Sequence, residues 1–500
     1  GTLSSDNGSL TISSGLALNN GGTLSSGSGQ VQIGGALTLD GELRQGGGLL
    51  NLIGGGTVGS TGRLDVSHSS LQLGSALSFA GTLVVNSGTY WSGLGGTVDL
   101  SAGTLESSGG TLNLDKFTTS ANTAFKLSGN TEITSSDNMT FGTLDLGGNR
   151  LTLGTGSKGL TLPNTLTMDN VSSVIKTENT NLTLGKALSL TSGSITSTGG
   201  TLSFSGGLTL GASGALDVTG STLSVSGALD LGSGTFISSD NSSLDLQAAT
   251  TLSANDQVTG QNPVTFEDVN FNGNVLTLGS ASTHLKVNDA LALSGIALET
   301  GAGSLTLSGA LALTDNASLN SSGGTITLVS GASAPSGTSI SIPGTTLVLE
   351  NALSLTGATL KTNGTTFTTN ANALTLGNSS FLEVEGTQNL SGVVPDGTST
   401  LRLTADASIN DSAALSVGTL DLSDFALTLN DQMAGLSIAQ PVTLDAAGEK
   451  ILTGAADLSL NGGISATAGI LSSTGGTLIL PSGATLATGA SFSTSNTTLN

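Results

Sequence analysis

No cysteine occurs among the 500 residues, and only 12 lysines and arginines stand against 34 acidic residues. The first absence excludes a disulfide-stapled scaffold and any thiolate metal site, and it suits a long chain that is exported without mispairing. The second leaves a formal net charge of −22, a surface that repels phosphate backbones, so no nucleic-acid partner is expected. Aromatic residues make up 3% of the chain, with one tyrosine and one tryptophan, so an ordinary aromatic-rich globular core is excluded. No apolar run reaches the length of about 18 residues that a spanning helix needs, and no membrane insertion is expected in this segment. Helix signals are also missing. Only residues 446–457, AAGEKILTGAAD, suggest a helix, and glycine sits inside that stretch. The expectation is an all-β fold.

What the chain has is a phrase with a period of about 21 residues. From Gly199 one unit reads GGTLSFSGGLTLGASGALDVTG, with apolar pairs Leu202/Phe204, Leu208/Leu210 and Leu216/Val218. Leu223/Val225 and Leu229/Leu231 repeat the first two pairs 21 residues on, and Phe236 follows Leu216 by 20. Leu182/Leu184, Leu188/Leu190 and Ile195 anticipate them by 20, 20 and 21. The same spacing of 21 links Leu10/Ile12 to Val31/Ile33, Leu16/Leu18 to Leu37/Leu39, Leu471 to Phe492 and Leu478 to Leu499. Each pair is apolar, polar, apolar, and residues two apart on a strand share a face. Glycine, serine and threonine between the pairs turn corners, because glycine accepts positive φ and the hydroxyls compete for backbone hydrogen bonds.

Three short strands therefore make one coil of a β-solenoid, about 24 coils in all. Backbone entropy outweighs what one coil buries, so stability must come from stacking coil on coil. Residues 1–500 are expected to form one continuous solenoid, a segment of a longer repetitive chain; the alternative is a subunit whose ends stack on identical copies. Looser or loop-bearing coils are expected near 115–140, 247–263, 384–412 and 431–456, where the 21-residue rhythm falters. A longer repeat overlies the first. Phe141, Leu144, Leu146, Leu151 and Leu153 match Phe266, Val269, Phe271, Leu276 and Leu278, and again Val417, Leu420, Leu422, Leu427 and Leu429, with identical internal offsets.

Charge placement follows the same alternation. Asp65, Asp99, Asp145, Asp217, Asp230, Asp245 and Asp421 each lie between two apolar residues and are expected in mid-strand, facing water. One expected cross-coil ladder runs Thr183, Ser203, Ser224, Asp245, which keeps like charges from stacking on one another.

A polysaccharide-active enzyme would need paired carboxylates, a basic residue and aromatic platforms. Glu383 and Glu385 share an outward face and Glu267 adjoins Asp268, but the sequence shows no basic or aromatic partner for either pair, which reads as solvated carboxylate. His68 and His284 are solitary and read as surface or turn residues. The Gly-Gly-x-Gly-x-Asp repeats of calcium-binding β-rolls are absent, as is any phosphate-binding glycine loop, so no cofactor and no metal are expected. Tyr90 and Trp91, in GTYWSGLGG, are expected to pack over a widened corner, with a surface-binding spot as the alternative. Glu383 and Glu385 are the other candidates for surface binding.

The GxLxLxGxLxL phrasing, the Leu/Ser/Thr/Gly/Asn composition, the acidity and the lack of cysteine together resemble the β-helical repeats of large bacterial surface proteins, such as autotransporter passengers and filamentous-haemagglutinin-like adhesins. The resemblance implies a right-handed parallel β-helix displayed at the cell surface or released outside the cell. It carries over no functional residue. The leading expectation is a structural rod or fibre element without catalysis, self-associating end to end or laterally. The second is an adhesin whose irregular loops bind a cell surface or a polysaccharide, and the third is a polysaccharide-active or ice-binding β-helix.

Overall fold

A computed structural model describes residues 1–86, 88–91, 95–232, 234–238, 241–253, 264–279, 283–369 and 374–500. Every regular element in it is a strand, and the strands pair in parallel, coil on coil, as a β-solenoid of about 23 turns with a repeat near 21 residues. The chain gathers into two compact units, one built on Gly1–Ala248 and the other on 249–253 with 264–500.

The pairing register agrees with the sequence period. Leu202 lies opposite Leu182 and Leu223, Phe204 opposite Leu184 and Val225, and Leu216 opposite Ile195 and Phe236. Leu10 lies opposite Val31, Leu16 opposite Leu37, and Leu478 opposite Leu499. All the pairs read from Leu182 to Phe236 are buried. Each unit thus has an interior of leucine, valine, isoleucine and phenylalanine stacked in files, which removes apolar surface from water along the direction of stacking. The expected outward ladder forms as well: Thr183, Ser203, Ser224 and Asp245 are register partners, and Ser224 Oγ lies 3.4 Å from Asp245 Oδ2.

The stretches expected to loosen carry strands, and in 384–412 the pairing register shifts between Val384 and Gly386. Residues 115–140 hold Phe117–Thr118, Ala124–Leu127, Thr131–Thr134 and Asn138–Thr140, and residues 384–412 lie largely in Phe381–Gln388, Val393–Pro395 and Thr400–Ile409. In 431–456 the strands are Gly435–Ile438, Val442–Leu444 and Lys450–Thr453, and the helix-like stretch 446–457 is a turn followed by strand. Of 247–263 only residues up to 253 are described, where Thr250–Ser253 is a strand. The faltering rhythm has a simple origin: partner residues lie 19 apart at Thr400 and Thr419, 24 apart at Ala426 and Lys450, and 26 apart at Thr250 and Leu276. The 21-stranded sheet that contains these pairs continues past them, while other sheets end within the same stretches, at Phe117–Thr118 and Val393–Pro395.

Two corner devices recur. At Ser197, Ser321 and Ser473 a buried hydroxyl donates to the carbonyl two residues on, at Gly199, Gly323 and Gly475, and the following Gly200, Gly324 and Gly476 adopt φ near +70° (+73°, +68° and +69°). The same hydroxyls meet Ser221, Thr345 and Thr497 of the next coil at 2.7, 2.8 and 2.9 Å, so neighbouring corners are bonded through the interior. The second device recurs at the matching positions of the longer repeat. Gly147–Gly148, Asn272–Gly273 and Ser423–Asp424 each place two successive residues at positive φ, and each turn closes with an amide donating to the carbonyl three residues back, at Leu146, Phe271 and Leu422.

Most of the aspartates expected in mid-strand belong instead to strand ends. Asp65, Asp99, Asp145, Asp217, Asp230 and Asp421 are the last residues of their strands, and the apolar residue after each is buried at the corner. Oδ1 of Asp65, Asp99, Asp145, Asp217 and Asp230 accepts the amide proton two residues on, at 2.9 to 3.1 Å. The carboxylate satisfies a donor that the bending backbone would leave exposed, which is why the strand stops there. Asp245 alone of the seven sits within its strand, Ser243–Leu246.

Candidate functional site

Tyr90 and Trp91 do not cover a corner; they form a short strand paired with Ser70 and Leu71. That strand ends its sheet. The five-stranded sheet that begins at Leu10–Ile12 stops at Tyr90–Trp91, the six-stranded sheet that begins at Leu16–Leu18 stops at Phe117–Thr118, and a new sheet starts at Gly110–Asn113. No ladder joins Tyr90–Trp91 to Gly110–Asn113, and the coil is closed there by side chains. Trp91 meets Phe117 edge to face, with ring centroids 4.8 Å apart, a geometry favoured by the ring quadrupoles.

A groove of about 520 Å³ opens along this seam, walled by Tyr90, Trp91, Asn113, Asp115, Lys116 and Phe117. Tyr90 is 67% exposed in it. On the other side of Trp91 a smaller cavity of about 300 Å³ is bounded by Leu71, Leu73 and Val98. Trp91 Nε1 is buried without a hydrogen-bond partner among the described residues. The polar wall is organised: Asn113 Nδ2 donates to Asp115 Oδ2 at 3.1 Å, Asn113 Oδ1 accepts the Asp115 amide at 2.9 Å, and Asp115 Oδ1 accepts the Ser136 amide at 2.7 Å. The Ser136 amide and the Asn113 side chain hold the Asp115 carboxyl below its ordinary value, with Lys116 adding to the effect. Ser92, Gly93 and Leu94 of the GTYWSGLGG phrase lie outside the described residues.

Sequence reading singled out Tyr90 and Trp91 and missed Asn113, Asp115, Lys116 and Phe117. They come from the following coil, and Phe117 lies 26 residues after Trp91, outside the 21-residue frame in which the repeats align. Within that frame Leu112 lies 21 residues after Trp91 and opens the triplet Leu112, Asn113, Leu114, so no break in the local pattern marked the seam.

Glu383 and Glu385 do share an outward face, on Phe381–Gln388, but they are not simple solvated carboxylates. Arg402, from the next coil, places Nη1 3.6 Å from Glu383 Oε1 and Nε 2.9 Å from Asp421 Oδ2, with its guanidinium 4.5 Å above the Phe381 ring. Glu385 accepts from Asn363 Nδ2 at 2.7 Å and from Thr404 Oγ1 at 3.2 Å. The basic neighbours that the sequence hid are thus present, brought in by register: Lys361, Glu383, Arg402 and Asp421 are successive partners, an alternation of charge along the stack. Partial burial raises the Asp421 pKa, but Ser423 and Arg402 outweigh it and the net direction is down. Every charge of this ladder has an opposite neighbour, an arrangement that stabilises a sheet face.

Glu267 forms the bend between Val264–Phe266 and Asp268–Asn270, and Asp268 opens the second strand. His68 adopts φ +64°, its amide donating to Asn86 Oδ1 at 2.8 Å, and is a turn residue as its context suggested. His284 is half-buried with Nε2 2.9 Å from Thr306 Oγ1, and its desolvation lowers its pKa. Among the described residues, no group of three or more His, Cys, Asp or Glu is placed to hold a metal ion, and no helix is long and apolar enough to cross a membrane.

The fold defines the class: a parallel β-solenoid. No known family, no curated protein and no solved structure matches the chain.

Proposed function

We propose that the chain is a structural element, a stretch of rod or fibre in a bacterial cell-surface or secreted protein, which works by spanning distance and presenting surface rather than by catalysis. The observation that carries this reading is the way consecutive coils are joined: ladder bonds, stacked apolar files and corner hydroxyls such as Ser321 and Thr345 all link a coil to its neighbours. Such a coil has little reason to open alone, because its backbone groups are paired above and below, and an element of this kind resists proteolysis. The absence of cysteine agrees with a chain that is exported without mispairing. End-to-end or lateral association belongs to the same reading.

Immunogold electron microscopy of the source cells, with antibody raised against this chain, tests it. Label on extracellular fibres or on the outer surface of intact cells is the expected result. Label confined to the cell interior sinks the proposal.

A further inference from the structure

We propose that the seam between Tyr90–Trp91 and Gly110–Asn113 is a binding site for a neutral saccharide. The ladder pattern is the first ground. One sheet ends at Tyr90–Trp91 and another starts at Gly110–Asn113, so two strand edges face a groove without a ladder between them. Strand edges left in this way present amide and carbonyl groups to a ligand.

The second ground is the chemistry of the walls. The only tyrosine and the only tryptophan of the chain stand side by side here, with Phe117 against the indole, in a protein that is otherwise 3% aromatic. Tyr90, two-thirds exposed, offers a flat apolar ring on which the C–H face of a pyranose stacks. Asn113, Asp115 and Lys116 line the opposite wall. Asp115 is an acceptor held in place by the Ser136 amide and Asn113, and Lys116 makes no ion pair within 4.0 Å among the described residues. Donors and acceptors side by side next to an apolar platform suit vicinal hydroxyls. The groove's volume of about 520 Å³ lies in the range of small-molecule clefts, about 300 to 1,000 Å³.

The choice of a neutral sugar over two rivals follows from charge and packing. A net charge of −22 disfavours a polyanionic glycan, against which Lys116 is the one cation in the groove wall. An extended peptide added as a strand would need about 4.8 Å of new space on each side, and the Trp91–Phe117 contact across the seam stands in its way.

Because Trp91 is the only tryptophan, its emission reports on this groove alone. The intact chain is titrated with cellohexaose, maltohexaose, mannohexaose and chitohexaose, and in parallel with a polygalacturonate hexamer and a valine-threonine decapeptide, each to about 10 mM, well beyond a millimolar dissociation constant. Saturation by at least one neutral hexasaccharide is expected, weakened about tenfold or more in Tyr90→Ala and retained in Tyr90→Phe, with unchanged circular-dichroism melts. No saturation by any of the four, saturation by the polyanion or the peptide alone, or equal affinity in Tyr90→Ala overturns the proposal. Tyr90 is too exposed for its loss to unfold the coil, so the variants separate binding from folding.

Discussion

At the scale of single residues the fold depends on a few backbone positions that tolerate little. Asp424, exposed at φ +71°, is the second of two left-handed residues in its turn. A β-branched side chain there clashes with its own backbone, so Asp424→Val should lower unfolding free energy by about 1 to 2 kcal/mol relative to Asp424→Gly in urea melts. Equal stability of the two variants would mean that the turn can change type. The strand-ending aspartates set a pH dependence. Ser101, through its side chain and then its amide, lowers the pKa of Asp99, and the Thr398 side chain does the same for Asp396, against ordinary values of 3.8. A carboxyl depressed in the folded state contributes stability that is complete above 3.8 and disappears as pH falls through its folded value. Asp99→Asn and Asp396→Asn should therefore be less stable than wild type at pH 6, with the gap closing as pH falls below 3.8 and the carboxyls protonate in the folded state. A gap that stays constant across that range would assign their effect to shape alone.

Between neighbouring strands, the alternating ladder Lys361, Glu383, Arg402, Asp421 is the clearest case in which a face is written by register. Arg402 is partly exposed, so its pairs are screened; exposed pairs contribute about 0.2 to 1 kcal/mol each, to which its packing on Phe381 adds. Arg402→Ala should cost about 1 kcal/mol in total, with part of that loss recovered when wild type and variant are compared at 1 M salt. A cost that ignores salt would leave the stacking on Phe381 as the whole effect. The ladder was not legible beforehand because Glu383 and Arg402 are 19 residues apart, and the 21-residue period does not pair them. By contrast the ladder from Thr183 to Asp245 was legible, since its coils keep steps of 20, 21 and 21.

On the scale of the molecule, the stacked coils behave as a one-dimensional array in which each coil feels its neighbours first. Phe204 is fully buried between Leu184 and Val225. Phe204→Ala should cost about 3 to 5 kcal/mol. Hydrogen exchange should rise in Asn181–Leu184, Thr201–Phe204 and Thr222–Val225 while Thr346–Leu349, in the other unit, stays protected. Uniform loss of protection through both units would show global cooperativity instead of an array.

The sequence by itself determined which residues face inward, since period two within a strand and a period near 21 between coils place Leu202, Phe204, Leu208 and Leu216 without ambiguity, and all four are buried. It also announced the longer repeat, in which a pair of left-handed residues recurs at Gly147–Gly148, Asn272–Gly273 and Ser423–Asp424, a feature visible only in the backbone. Tertiary structure alone decided which side chains meet across coils of unequal length. Partner residues lie 19 to 26 apart, so the partners of Glu383 and of Trp91 do not follow from a fixed period. The seam beside Trp91 exists because one sheet ends at Tyr90–Trp91 and a second in the next coil at Phe117–Thr118, and a local sequence pattern carries no record of where a distant ladder stops.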